Sequence, residues 1–198
     1  MQHDASDRRS GAGRLIFLMG PSGSGKDSIL EASREQLAAA GVEIAHRVIT
    51  RSAEARGEAA HGVTPQQFAA LLAQGAFAMH WQANGLDYGI AVQVDAWLQA
   101  GRPVLVNGSR AYLAEARARY PDLLAVLVEV SPEVLRERLL ARGRETAAQV
   151  EQRLARNARL QHTSDPTVHV LDNSNRLETA VAGLFTLLRE TGVLPGAT

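Results

Sequence analysis

Residues 20–26 read Gly-Pro-Ser-Gly-Ser-Gly-Lys, and this stretch decides the fold. The segment Arg14–Met19 before it is apolar and predicts a buried strand, and Asp27–Ala40 after it carries apolar residues at helical spacing. A strand, a glycine-rich loop that ends in lysine and a helix, in this order, form a Walker A element, or P-loop. Glycines let backbone N–H groups surround phosphate oxygens, and the helix points the positive end of its dipole at the same anion. We expect Lys26 to reach the β- and γ-phosphates as a catalytic cation. The expected ATP-binding residues of the loop are Gly20, Pro21, Ser22, Gly23, Ser24, Gly25, Lys26 and Asp27.

One position departs from the Walker A pattern. The pattern has Ser or Thr after the lysine, where the hydroxyl binds Mg²⁺, whereas this chain has Asp27 followed by Ser28. A carboxylate beside a triphosphate is tolerated if Mg²⁺ or water lies between them, or if the helix N-terminus offsets its charge. Two interpretations stay open: Asp27 and Ser28 are metal-site residues that shape the Mg²⁺ shell, or Asp27 is only a helix-start residue.

Short apolar runs alternate with helical patterns along the rest of the chain. Strands are predicted at Arg14–Met19, Ile44–Ile49, Phe77–Ala83, Pro103–Val106, Leu123–Val130 and Val168–Leu171. Helices are predicted at Asp27–Ala40, Thr64–Gln74, Val92–Ala100, Arg110–Tyr120, Ser131–Arg142, Thr146–Gln161 and Leu177–Glu190. This alternation predicts an α/β fold of the P-loop NTPase type, in which helices cover both faces of a parallel sheet.

Length and composition limit the class of protein. A chain of 198 residues fits one domain, which we place at residues 14–192 after a polar, disordered tail at 1–13. The absence of cysteine excludes disulfides, thiolate zinc sites and cysteine nucleophiles. Lys plus Arg and Asp plus Glu number 21 each, so the chain lacks the basic excess of a nucleic-acid binder. With no apolar run long enough to cross a bilayer and no signal-peptide pattern, we expect a cytoplasmic protein without a membrane partner.

A cluster of arginines near residue 140 predicts a helical lid over about 138–153. Arg138 and Arg142 are four residues apart and therefore share one helix face, Gly143 breaks the run, and Arg153 lies on the next helical arm. We expect these three arginines to be catalytic, because such cations offset charge on a phosphoryl group in transfer. The alternative is a solvated helix with Arg–Glu pairs, which we favour for Arg136, Arg144 and Arg156.

A second basic segment follows the predicted strand Ile44–Ile49, and we place a small acceptor-binding sub-element at about 46–90. Arg47, Arg51 and Arg56 in this segment are suited to clamp an acceptor phosphate in bidentate fashion, although a charged surface turn would carry the same residues. Residues 84–89 read as a turn that presents Tyr88 either to phosphate or as part of a plain hairpin.

These motifs, in their order and spacing, resemble the guanylate kinases over Arg14–Glu190. The matching motifs are Gly20–Lys26, Thr50-Arg51, Arg56-Gly57-Glu58, Tyr88-Gly89 and Arg142-Gly143 with Arg153. Three positions depart from the family pattern. Asp27 replaces a Walker serine. Met79 stands near the position at which the family has an acidic residue that reads guanine, and Ala60 stands near the position of a phosphate-binding tyrosine.

In these departures the chain is similar to one branch of that family, the ribose 1,5-bisphosphate phosphokinases. The shared segments are Gly20–Ser28, Ala45–Arg51, His80–Gly89, Val104–Arg110 and Arg142–Glu145. The resemblance implies that ATP, with Mg²⁺, phosphorylates ribose 1,5-bisphosphate to 5-phosphoribosyl 1-diphosphate. The acceptor oxygen is already anionic, so no general base is required.

The resemblance also implies site residues. The acceptor-binding set is Arg47, Thr50, Arg51, Arg56, Tyr88, Asn107, Ser109 and Arg110. Asn173, after the last predicted strand, is implied at the adenine edge of the ATP site. Two alternatives stay open, a kinase that phosphorylates GMP and an inactive module that binds a protein partner. The chain can be a monomer or a homodimer.

Overall fold

The computed structural model describes residues 12–50, 60–143, 145–160 and 165–196. The strands are β1 (Leu15–Met19), β2 (Glu43–Ala45), β3 (Arg47–Ile49), β4 (Ala60–Gly62), β5 (Phe77–Ala83), β6 (Leu86–Ala91), β7 (Val104–Asn107), β8 (Leu124–Glu129) and β9 (Val168–Asp172). The α-helices are α1 (Lys26–Ala39), α2 (Pro65–Ala73), α3 (Gln93–Gln99), α4 (Leu113–Arg119), α5 (Pro132–Ala141), α6 (Ala147–Leu160) and α7 (Leu177–Glu190).

The strand before the P-loop is buried at every position, because β1 lies in the middle of a five-stranded sheet. The strand order is β2-β7-β1-β8-β9, and all four pairings are parallel. Alternate residues of β1 face opposite sides, so Ile16 and Leu18 join the buried cluster that includes α1 and α7, whereas Phe17 joins the cluster on the other face. The predicted parallel sheet with helices on its faces is therefore confirmed.

A second, four-stranded sheet has the order β4-β3-β6-β5. The pairs β3–β6 and β5–β6 are antiparallel, and β3–β4 is parallel. Asn84 and Gly85 turn β5 into β6 with φ angles of 52° and 75°, as a two-residue hairpin turn requires. β4 is not predicted from the sequence, and the turn predicted at residues 84–89 includes most of β6.

The prediction of one strand over Ile44–Ile49 is wrong. The chain forms β2 and β3 there, and exposed His46 separates them. β2 pairs with β7 in the parallel sheet, whereas β3 pairs with β6 and β4 in the second sheet. Apolar residues on either side of His46 and Arg47 predict strand conformation, but they carry no signal for a change of sheet.

Hydroxyl side chains cap the starts of two helices. Thr64 caps α2 in a capping box with Gln67, and the Ser131 hydroxyl accepts a hydrogen bond from Val134 N at the start of α5. The helix predicted over Arg110–Tyr120 begins as a 3₁₀ turn, Arg110–Tyr112, and continues as α4. Among the described residues, no helix combines the length and apolar character needed to span a membrane.

Candidate active site

The P-loop has the backbone conformation that its glycines predict. Gly23 and Gly25 have φ angles of 98° and 89°, in the left-handed region that L side chains rarely adopt. Space is restricted as well: a Cβ on Gly23 would lie 2.8 Å from Leu135 Cδ1, and one on Gly25 would overlap with Asn173 Nδ2. α1 begins at Lys26 directly after Gly25, so the free N–H groups of its first turn open towards the loop.

A cavity of about 310 Å³ lies over the P-loop. Of the described residues around it, five are cationic, and a single carboxylate, that of Asp27, lies among them. The cations are Lys26, Arg47, Arg110, Arg142 and Arg153. In a chain whose formal net charge is zero, this local excess of positive charge suits a polyphosphate.

Lys26 is folded back onto the loop that precedes it. Its Nζ donates hydrogen bonds to Gly20 O at 2.8 Å and to Pro21 O at 3.1 Å. These carbonyls hold the ammonium group at the edge of the cavity, from which a flexible lysine side chain can turn to a phosphate.

Asp27 is held by two neighbours from different strands. Asn107 Nδ2, at the end of β7, donates to Asp27 Oδ1 at 2.7 Å, and Arg47 Nη2, on β3, lies 3.3 Å from the same oxygen. Asn107 is 4% exposed, and its Oδ1 has no hydrogen-bond partner among the described residues. Ser28 is exposed next to Asp27 and lines the cavity. Asp27 therefore bonds side chains of both sheets, which a residue that only starts a helix would not need.

The oxygen atoms of this cluster fit Mg²⁺. Mg²⁺ prefers oxygen ligands, keeps several waters and is commonly bound by one or two carboxylates together with substrate phosphates. The Asp27 carboxylate and the Ser28 hydroxyl are oxygen donors of this kind, and both line the phosphate cavity. Within the described ranges no group of three or more His, Cys, Asp or Glu side chains forms a metal cage, so a bound ion would depend on phosphate and water ligands.

A stack of one cation and three aromatic rings lies beside the phosphate cavity. The Arg47 guanidinium lies 5.7 Å from the centroid of the Tyr88 ring, and Trp81 stacks on Tyr88 at 5.6 Å with an interplanar angle of 2°. Tyr112 lies 5.5 Å from Trp81 on its other side. The stack fixes Arg47 between Tyr88 and Asp27. Trp81 is not among the predicted site residues, although its alternation with Met79 on β5 is a signal for one shared sheet face.

Trp81 also separates the phosphate cavity from a second cavity of about 610 Å³. Ser109 and Ala111 line both cavities with it. The second cavity includes the carboxylates of Asp87 and Glu115, and among its described lining residues there is no Lys or Arg.

Arg47, Tyr88 and Asn107 are described above, and the other five predicted acceptor residues fall into three groups. Ser109 and Arg110 line the phosphate cavity. Burial lowers the pKa of the Arg110 guanidinium, and the negative charge of Glu129 partly offsets this shift. Thr50 is buried, and its Oγ1 accepts a hydrogen bond from Asp87 N at 2.8 Å, so this hydroxyl ties β3 to the start of β6. Arg51 and Arg56 lie outside the described residues.

The predicted lid arginines separate in the structure. Arg142 and Arg153 line the phosphate cavity, and Arg153 donates to Glu145 Oε1 through Nη2 at 2.6 Å and Nε at 3.1 Å. Arg138 is not among the described residues that line the cavity, and its Nη2 donates to Asn173 O at 2.9 Å. Its catalytic role stays a prediction.

Two further predictions concern surface arginines and the adenine edge. Arg136 pairs with Glu151 across the two helical arms at 2.6 Å and 3.0 Å, and this hydrogen-bonded charge lowers the pKa of Glu151. The side chains of Arg144 and Arg156 lie outside the described residues. Asn173 is 3% exposed and its Nδ2 donates to Ser24 O at 2.7 Å, so its contact with adenine also stays a prediction.

The chain belongs to the guanylate kinase family, because the family model described as Guanylate kinase matches residues 12–191. A guanylate kinase from Anaplasma phagocytophilum shares the fold, with a TM-score of 0.65 at 18% identity, over 91% of this chain and 86% of that chain. Within the family, this chain belongs with the proteins named ribose 1,5-bisphosphate phosphokinase PhnN. It is 62% identical to the one from Pseudomonas paraeruginosa, over 89% of this chain and 95% of the relative. It is 60% identical to the one from Azotobacter vinelandii, over 90% and 97%. The resemblance stated from the sequence is thus confirmed.

Lys26→Ala should leave the fold intact and reduce turnover by about 100-fold or more, because a principal cation for the transferring phosphoryl group is lost. The measurement is kcat with saturating ATP, together with a thermal melt. Arg34→Ala is the matched control, since Arg34 lies on the same helix and pairs with Glu31 outside the phosphate cavity. Near-normal turnover in a folded Lys26→Ala protein would contradict the assignment.

Asp27→Ser restores the usual Walker hydroxyl but removes the carboxylate that Asn107 and Arg47 bond. We expect the Mg²⁺ concentration for half-maximal activity to shift by about tenfold or more, with a much smaller change in the melting temperature. Asp27→Asn keeps the size of the side chain and isolates the effect of charge. If both variants titrate with Mg²⁺ as the wild type does, Asp27 is only a helix-start residue.

Proposed function

We propose that this protein transfers the γ-phosphoryl group of ATP to the 1-phosphate of ribose 1,5-bisphosphate, which yields ADP and 5-phosphoribosyl 1-diphosphate. The observation that carries the proposal is the composition of the phosphate cavity, in which five cations and one carboxylate line the described wall. The PhnN relatives, at up to 62% identity over nearly their whole length, support the same activity by their name.

The chemistry of this transfer needs positioning and charge compensation. An oxygen of the 1-phosphate, already anionic at neutral pH, attacks the γ-phosphorus, a new P–O–P bond forms, and the bond between the γ-phosphorus and the bridging oxygen breaks as ADP leaves. No proton is removed from the nucleophile, so the reaction requires no general base. Fixed cations then supply most of what a phosphoryl-transfer site contributes.

In this proposal, the P-loop holds the ATP phosphates and Lys26 turns from its loop carbonyls to the β- and γ-phosphates. Asp27 and Ser28 would hold Mg²⁺, which when bound offsets the charge of those phosphates, and Asn107 would orient the Asp27 carboxylate. Arg142 and Arg153 would approach the transferring group from the lid. The Arg153–Glu145 pair keeps the guanidinium oriented until a phosphate oxygen competes for it.

The acceptor lies, in this proposal, on the side of Arg47 and Arg110. Both phosphates of the acceptor are anions, and the cavity beyond Trp81 offers them two carboxylates and, among the residues described there, no Lys or Arg. The acceptor phosphates are therefore expected on the cationic side of the Trp81 wall, with Tyr88 and Ser109 as neutral donors. Arg51 and Arg56 remain predicted acceptor residues. We further propose that the protein acts in the cytoplasm, where ATP and phosphorylated sugars occur.

GMP is the rival acceptor, because the fold is that of a guanylate kinase. Met79 and Ile90, paired across β5 and β6, are both completely buried. The guanylate kinase pattern has an acidic residue that reads guanine near the position of Met79, and methionine cannot accept hydrogen bonds from the N1–H and 2-amino groups of guanine; each donor left unpaired costs about 1–3 kcal/mol. Met79→Glu, which would supply an acceptor, would bury a carboxylate in the core and is expected to destabilise the protein.

The decisive comparison is the acceptor profile of the wild-type enzyme with ATP and Mg²⁺. We expect kcat/KM for ribose 1,5-bisphosphate to exceed that for GMP by about 30-fold or more, since two unpaired donors at about 1 kcal/mol or more each correspond to at least this ratio. ADP release in a coupled assay measures both acceptors in parallel. Efficient phosphorylation of GMP would contradict the proposal and leave a guanylate kinase, whereas ATP binding without transfer to either acceptor would indicate an inactive binding module.

A further inference from the structure

The side of the P-loop opposite the phosphate cavity packs against two other parts of the chain, helix α5 and the residue Asn173. Gly23 faces Leu135 and Leu139 of α5, and the space beside Gly25 is filled by the Asn173 amide. Arg138 Nη1 lies 3.6 Å from the position that a Cβ on Gly25 would occupy. The loop is thus bounded by the phosphate cavity on one side and by α5 and Asn173 on the other.

Asn173 bonds three elements at once. Its backbone N donates to Glu129 O at 2.8 Å, which ties the end of β9 to the end of β8. Its side-chain Nδ2 donates to Ser24 O at 2.7 Å, in a buried contact between residues 149 positions apart. Its backbone O accepts from Arg138 Nη2 at 2.9 Å. Because the main sheet fixes the position of Asn173, the residue can in turn fix the loop.

The hydrogen bond to Ser24 O determines where the next N–H points. In a trans peptide unit the C=O and the following N–H point in opposite directions across one plane. Ser24 O points to Asn173, so the N–H of Gly25 points to the opposite side of the loop. Gly25 lines the phosphate cavity, which lies on that opposite side. Loss of the Asn173 donor would release this peptide unit to rotate, which glycine permits readily.

We propose that Asn173 and Arg138 are positioning residues that hold the Gly25 N–H towards the nucleotide phosphates, and that neither one contacts the phosphoryl group in transfer. Arg138 acts through the Asn173 carbonyl, which it keeps in place from α5. Arg142 and Arg153 form a separate set, because they line the cavity and can meet the phosphoryl group directly. This inference concerns nucleotide binding and is independent of which acceptor the enzyme uses.

The test measures binding of ADP and of inorganic tripolyphosphate by calorimetry, without any acceptor. Asn173→Ala should weaken both ligands by about the same factor, roughly tenfold, because a buried hydrogen bond that orients a phosphate-binding amide is lost. Asn173→Asp keeps the size of the side chain but replaces the donor by an acceptor, and should weaken both ligands at least as much. Asn175→Ala is the matched control, since Asn175 is exposed two residues further on and should leave both affinities unchanged.

Arg138→Met keeps much of the apolar stem and removes the donor to Asn173 O. It should weaken ADP and tripolyphosphate in parallel, while turnover at saturating ATP falls by less than about tenfold. Arg153→Ala should show the opposite split, a large loss of turnover with little change in ADP affinity.

Three results would overturn the inference. Unchanged affinities in Asn173→Ala and Asn173→Asp would show that the loop keeps its shape without this donor. A loss for ADP alone, with tripolyphosphate unaffected, would assign Asn173 to the adenine edge. If turnover in Arg138→Met fell by about 100-fold or more at unchanged ADP affinity, Arg138 would be catalytic.

Discussion

Backbone N–H groups that converge on one cavity are the constraint on which the rest of this structure depends. A loop binds a polyphosphate through amides only where its residues adopt conformations that turn the N–H groups inward, and Gly23 and Gly25 do so at positive φ. The loop also needs a rigid base. β1, in the centre of the parallel sheet, holds one end of the loop, and α1 continues from the other end. α5 and Asn173 pack against the side of the loop opposite the phosphate cavity.

Charge is concentrated locally in a chain that has no net charge. The only lysine is Lys26, and the other cations of the phosphate cavity are arginines, whose planar groups suit phosphate and carboxylate partners alike. Asp27 lies within this positive region, bonded to Asn107 of the parallel sheet and to Arg47 of the second sheet. Arg47 in turn lies over the ring of Tyr88, which stacks on Trp81, so these side chains connect the P-loop to the second sheet.

The sequence predicts features that are determined locally. The P-loop, the flanking strand and helix, the caps at Thr64 and Ser131, and the parallel sheet follow from spacing and residue chemistry over short stretches. The change of sheet at His46 could not be predicted. The apolar residues on either side of His46 show the same pattern whether they belong to one strand or to two strands. The placement of Asn173 and Arg138 beneath the loop, and of Trp81 between two cavities, depends on contacts between distant segments that no local pattern encodes.

The structure of the product shows whether the acceptor atom is a phosphate oxygen. ³¹P NMR of a reaction of ATP with ribose 1,5-bisphosphate distinguishes a phosphoanhydride from a phosphate ester, because only the former shows coupling between adjacent phosphorus nuclei. The account predicts a new pair of coupled signals from the sugar product, which rise as the 1-phosphate signal falls and as ADP forms. A product whose new phosphorus signal has no phosphorus coupling partner would show transfer to a hydroxyl group and would contradict it.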